Sequence, residues 1–170
     1  LIYQWQVNTG AVFTTVPASA PYSSTTTATL TITCVTVSMN GYMYRCIVSG
    51  TCTPSAIYGS DTLKVNTAPV MTSFPTAPIA VCAGSSTSIS ATASGAGLTY
   101  QWQVDNGSGF ANIPASAPYS GTTTNRLTIS PVTGSMNGYM YRIVVNGTCS
   151  PATASGTVSL VVNTPPSITT

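Results

Sequence analysis

The chain has 170 residues but only four basic side chains (Arg45, Lys64, Arg126, Arg142), two acidic ones (Asp61, Asp105) and no histidine. So sparse a set leaves almost no candidate for general acid or base work and excludes Ser-His-Asp and Cys-His arrangements, so neither an enzyme nor a cofactor is indicated. A net charge of +2 over this length gives no field able to hold phosphate backbones or anionic lipid, and the chain shows no 18-residue apolar run, so neither nucleic acid nor membrane insertion is expected.

Apolar alternation of period two runs through nearly the whole chain, and no segment of ten residues has helical spacing, so the expected fold is all β. Residues 1–73 overlay residues 98–170 without a gap, with 43 identities in 73 positions. The period of 97 residues suits one β-sandwich per unit. Residues 67–163 form a complete unit. Residues 1–66 are the rear part of an earlier one, lacking the equivalents of Phe74 to Gly97, and residues 164–170 are a linker and the start of another. The segment is expected either to be cut from a longer array or to borrow those strands from another copy.

In the complete unit, Pro69 to Val81 reads as a proline-punctuated edge strand, because proline cannot donate to a ladder. Thr87 to Ala93 is a second strand with Ile89 and Ala91 inward. Leu98 to Val104 is a third, with Tyr100, Trp102 and Val104 on one face and Gln101 and Gln103 on the other. Asp105-Asn106-Gly107-Ser108-Gly109 signals a hairpin into Phe110 to Ile113. Pro114 to Thr124 reads as a loop and repeats Pro17 to Thr27 with one change, Ser24 for Gly121. Arg126 to Ser130, Gly138 to Val145 and Ala154 to Val162 complete seven strands, which suggests two packed antiparallel sheets.

The run Leu30-x-Ile32 followed by Asn40-x-Tyr42-x-Tyr44-x-Cys46, with Trp5 upstream, resembles the closing pattern of an immunoglobulin domain, including a tyrosine two residues before the strand F cysteine. Leu127-x-Ile129, Asn137-x-Tyr139-x-Tyr141-x-Ile143 and Trp102 repeat it. With Val81-Cys82-Ala83-Gly84 and Gly147-Thr148-Cys149, both units are similar to the immunoglobulin-like repeats of large secreted adhesins from Bacteroidetes-type bacteria. The resemblance covers the whole chain and implies tandem sandwiches at a cell surface or outside the cell. It speaks to fold more than to function, since the sandwich hosts many unrelated jobs.

Five cysteines without histidine or metal-ligand spacing read as disulfide chemistry in an oxidising compartment. The second unit departs from the family pattern, with Ile143 in strand F and no cysteine in strand B. Cys82 and Cys149 are expected to pair, pinning the first strand to the sandwich. Cys34 and Cys46 are both replaced in the second copy, by Pro131 and Ile143, which suggests a pair. A bridge from either to another chain, or to a strand outside the segment, stays open. Cys52 matches Cys149 and is left unpaired within the segment.

Asp61-Thr62-Leu63 resembles the acceptor sequence at which such bacteria attach O-linked sugars, making Thr62 a candidate glycosylation site against the alternative of a chance match. Asn106-Gly107-Ser108 and Asn146-Gly147-Thr148 have the N-linked pattern, but turn formation is their simpler role. Tyr3, Trp5, Tyr42 and Tyr44 alternate inward as core. Tyr22 and Tyr119 are candidates for exposed binding rings, and Arg45 and Arg142 for solvated outward residues. Asp61 and Asp105 make no calcium cluster. The leading expectation is a structural module of an adhesin stalk or filament, contacting neighbouring repeats or copies of itself and assembling by strand completion. The alternative is a module that binds glycans or protein through the Pro17 to Thr27 loop and its copy Pro114 to Thr124.

Overall fold

A computed structural model describes residues 1–52, 55–57, 59–164 and 166. They fall into two compact units, Leu1–Asn66 and Thr67–Thr170. The expected start of a further repeat at 164–170 lies outside the described residues except for Thr164 and Pro166.

The first unit contains β1 (Ile2–Asn8), β2 (Phe13–Thr15), β3 (Tyr22–Ser23), β4 (Thr31–Ile32), a 3-10 turn (Val37–Met39), β5 (Met43–Ser49), β6 (Ala56–Ile57) and β7 (Asp61–Thr62). Its main sheet runs β2-β1-β5, with β6 and β7 following one another along the far side of β5. The pair β3-β4 belongs to the opposing layer.

The second unit contains β8 (Val70–Ser73), β9 (Ile79–Cys82), β10 (Thr87–Ser90), β11 (Thr92–Ser94), β12 (Thr99–Asp105), β13 (Phe110–Asn112) and β14 (Tyr119–Ser120). It continues with β15 (Arg126–Ile129), a 3-10 turn (Gly134–Met136), β16 (Met140–Asn146), β17 (Thr153–Ala154) and β18 (Val158–Asn163). One sheet has the order β13-β12-β16-β18-β9, with β17 also on β16, and the other layer holds β10-β15-β14 and the pair β11-β8.

The shared elements keep the same register. Trp5 stands opposite Cys46 and Trp102 opposite Ile143, Gln6 opposite Arg45 and Gln103 opposite Arg142, and every partner along β1-β5 reappears along β12-β16 shifted by one repeat. Register is specified this firmly because a one-residue slip would turn Trp, Val and Tyr to solvent and the glutamines into the core.

Four elements differ from their sequence reading: Thr87 to Ala93 divides into β10 and β11, Ala154 to Val162 into β17 and β18, and two more depart as follows. The single first strand is two, because Pro75 and Pro78 interrupt the ladder between β8 and β9. The chain changes layers there, so that β8 pairs with β11 while β9 lies parallel to β18. The supposed loop 114–124 contains β14, whose Tyr119 stands opposite Ile129 in β15.

The second unit closes a full core: Trp102, Leu127, Ile129, Val132, Tyr141, Ile143 and Val145 are all wholly buried, with Ile89 and Ala91 of the β10 region packed among them. Among the described residues, the first unit's core cluster has Val7, Val16 and Tyr44 as its buried members, and Trp5, Leu30 and Ile32 remain partly exposed around it.

Candidate functional site

The first unit carries an apolar groove of about 360 Å³, lined by Trp5, Leu30, Ile32, Tyr44, Cys46 and Leu63 together with the polar rim Gly59, Asp61 and Thr62. A neighbouring hollow of about 270 Å³ also touches Trp5 and Cys46 and extends to Leu1, Tyr3, Ala28 and Val48. Strand alternation supplies the floor: Trp5 on β1 and Cys46 on β5 face each other across the ladder and point to the same side. The Trp5 indole nitrogen donates to the Thr27 carbonyl at 3.0 Å, as Trp102 does to Thr124 at 2.8 Å, so the ring is fixed although half-exposed. The chemistry of the groove is apolar. Among the described residues no group of three or more His, Cys, Asp or Glu side chains could hold a metal ion.

Tyr22 and Tyr119 are not exposed binding rings. Tyr22 shares a hydroxyl-hydroxyl hydrogen bond with Tyr44 at 3.2 Å and packs edge-on against it, with ring centroids 6.1 Å apart. Tyr119 and Tyr141 repeat this at 3.3 and 6.3 Å. The reason is β3 and β14: once those residues are strands, the rings turn inward and cap the phenols of the buried tyrosines. Burial, with the hydrogen bond to the partner phenol adding to it, raises the titration of both Tyr44 and Tyr141 well above the usual phenol range. An immunoglobulin tyrosine corner would send this hydroxyl to backbone; here it goes to a second tyrosine.

Arg45 and Arg142 are likewise more than solvated charges. The Arg45 Nε donates to Gln6 Oε1 at 2.8 Å while the guanidinium lies 4.0 Å from the centre of the Phe13 ring. Arg142 does the same with Gln103 and Phe110 at 2.7 and 4.1 Å. Each clasp ties three strands together on the face away from the core. Asn40 and Asn137, quoted in the sequence only as pattern residues, accept from the backbone N–H of Val65 and Val162 at 2.8 and 2.9 Å. They anchor the last segment of each unit.

The cysteine expectations require correction, since all five thiols are free. Cys82 pairs with Asn163 at the end of β18 level with the start of β16, whereas Cys149 follows the end of β16. The length of β16, roughly 20 Å at ~3.3 Å per residue, separates them, against the ~4.4–6.8 Å between Cα atoms that a disulfide spans. The parallel placement of β9 could not be read from the cysteine spacing. Cys34 and Cys46 do not pair either: Cys46 is buried on β5 beneath the groove, while Cys34 is exposed beyond β4 on left-handed backbone, φ 52°. Cys52 is exposed.

Thr62 is exposed on β7 opposite Met43, and its N–H is held by the Asp61 carboxylate at 2.8 Å. Asn106 lies in the β12-β13 turn, where Asp105 Oδ1 accepts from Gly107 and Gly109 at 2.8 and 2.9 Å.

Comparison with solved structures defines the class of the fold. The I67–I69 fragment of the titin I-band matches with a TM-score of 0.58 at 16% identity, over 95% of this chain and 55% of that one. Extracellular domains 3–5 of Drosophila OTK match at 0.54 and 17%, over 95% and 51%. The complex of Dpr11 IG1 with DIP-gamma IG+IG2 matches at 0.56 and 17%, over 95% and 83%. The chain thus spans about half the length of the first two, and at these identities the likeness establishes tandem immunoglobulin-like sandwiches. No curated protein matches the sequence. The chain belongs to the family described as Domain of unknown function DUF8696, whose model matches residues 74–164. That family unit includes β9, β10 and β11, the strands for which the first unit has no counterpart among the described residues.

Proposed function

We propose that this chain is a structural segment of an extracellular array of immunoglobulin-like repeats, a stalk or fibre of an adhesin-type surface protein that extends and presents. The observation carrying this reading is the repetition itself: the two units keep the same strand partners and the same Trp, Tyr-Tyr and Arg-Phe contacts at a gapless offset. The contacts that recur are contacts of packing. Each unit would interact chiefly with neighbouring repeats. The hydroxyl- and amide-rich surface suits an extracellular setting, with Thr62 as the residue offered for a solubilising sugar. The resemblance to Bacteroidetes-type adhesin repeats supplies the suggested source. Recognition through the Pro17 to Thr27 loop loses its motive once Tyr22 is engaged with Tyr44.

The test is small-angle scattering of arrays built from one to four copies of the Thr67–Asn163 unit. The maximum dimension is expected to grow linearly with copy number. Collapse of the arrays into compact particles would refute the stalk reading.

A further inference from the structure

Four Asn-Gly dipeptides occur in the chain, Asn40-Gly41, Asn106-Gly107, Asn137-Gly138 and Asn146-Gly147. Glycine after asparagine leaves the following backbone nitrogen unshielded, so that nitrogen can reach the side-chain carbon Cγ and close a five-membered succinimide. Closure needs an asparagine amide free to swing, a backbone free to turn about the asparagine Cα–C bond, and an acceptor for the glycine nitrogen's proton. The fold distributes these three conditions unequally among the four sites.

At Asn40 and Asn137 the reaction is locked out. Each side-chain oxygen accepts from backbone, from Val65 N–H at 2.8 Å and Val162 N–H at 2.9 Å. The glycine nitrogens that follow donate to the carbonyls of Leu63 at 2.8 Å and Leu160 at 2.9 Å, neutral acceptors that cannot keep a proton. Asn146 is fixed in the ladder of β16 opposite Thr99, and a Cβ at Gly147 would lie 2.9 Å from the Ala96 carbonyl oxygen and 3.1 Å from Pro69 Cδ, so neither residue has room to turn. Asn106 meets all three conditions. It stands exposed in the β12-β13 turn, outside any ladder, and no described residue hydrogen-bonds its amide. The Gly107 N–H donates to a carboxylate, Asp105 Oδ1 at 2.8 Å, and open space lies over the Gly107 Cα. The first unit keeps this turn without its chemistry: Gly10 N–H donates to Asn8 Oδ1 at 2.8 Å, but the acceptor is a neutral amide and β-branched Thr9 stands where Asn106 does.

We propose that Asp105-Asn106-Gly107 is a self-modification site, at which the Gly107 nitrogen attacks Asn106 Cγ while Asp105 accepts the proton it sheds. The new N–C bond forms as the Cγ–Nδ2 bond breaks, and Nδ2 leaves as ammonia with the proton returned from Asp105. Water then opens the ring, at Cγ to give aspartate or at the Asn106 backbone carbonyl to give isoaspartate. One water enters and one ammonia leaves, so no oxidant or cofactor is required. Either product sets a second carboxylate beside Asp105 in a chain with only two acidic residues, and isoaspartate adds a methylene to the backbone of the turn. Conversion also removes the amide that Asn106-Gly107-Ser108 would offer to an N-linked sugar. None of this depends on the array reading.

The experiment incubates the intact folded chain in mildly alkaline buffer and follows the four Asn-Gly peptides by mass spectrometry, with fragmentation that separates aspartate from isoaspartate. Asn106 is expected to convert first, to a mixture of the two acids, while Asn40, Asn137 and Asn146 remain amides over the same interval. An Asp105→Asn chain should convert several-fold more slowly with its turn intact, since Asn8 makes the same hydrogen bond in the first unit. In urea the differences among the four sites should narrow, because the contacts that hold three of them are gone. No conversion at Asn106, equal conversion of Asn40 or Asn137 in the folded chain, aspartate formed without isoaspartate, or a selectivity undiminished in urea would each overturn the site. An Asp105→Asn rate equal to that of the parent chain would overturn the part given to Asp105.

Discussion

Ser24 and Gly121 occupy the single differing position of the repeated 11-residue segment, and both have left-handed backbone, φ 59° and 72°. A Cβ at Gly121 would collide with the Arg126 carbonyl oxygen. Gly121→Ser is therefore predicted to destabilise the second unit by about 1–2 kcal/mol, and Ser24→Gly to stabilise the first by up to about 1 kcal/mol, both read from urea midpoints. The tyrosine pairs give a pH signature. A phenol raised in the folded state contributes its full stability below the unfolded value near ~10 and loses it as pH climbs above that. Stability should accordingly begin to fall above about pH 10, by up to ~1.4 kcal/mol per pH unit for each of Tyr44 and Tyr141, and Tyr141→Phe should remove its unit's share of that slope. Pairing between phenols was not legible in the sequence, because it depends on β3 and β14 meeting β4 and β15 across many residues.

At the level of elements, the main sheet was readable from alternation alone: Tyr-x-Trp-x-Val and Tyr-x-Tyr-x-(Cys/Ile) specify β1, β5, β12 and β16 with their faces. Less visible was how the flanking strands divide. Proline spacing announced an edge strand but not that its two halves join different layers, and a two-residue strand such as β14 leaves no periodic trace. The Cys82–Cys149 expectation failed for the same reason, since it assumed where β9 would lie. The same tryptophan in two settings gives a quantitative check. Trp102→Ala should cost the second unit about 3–5 kcal/mol, whereas Trp5→Ala, removing a half-exposed ring, should cost the first about 1–2 kcal/mol. Separate calorimetric transitions for the two units provide the measurement.

Across the whole chain, the repeat is one design presented twice, with the partners along β1-β5 reappearing along β12-β16. Its length and the segment without a counterpart could be counted from the sequence, because the offset is gapless. The groove itself needed coordinates, since only burial reveals that Leu30 and Ile32 stand half-covered where Leu127 and Ile129 are sealed. Native-state hydrogen exchange tests the central claim most directly. Amides of β1-β5 and of β12-β16 should be protected at matching positions one repeat apart. Protection along β12-β16 without matching protection at the equivalent positions of β1-β5 would contradict the account.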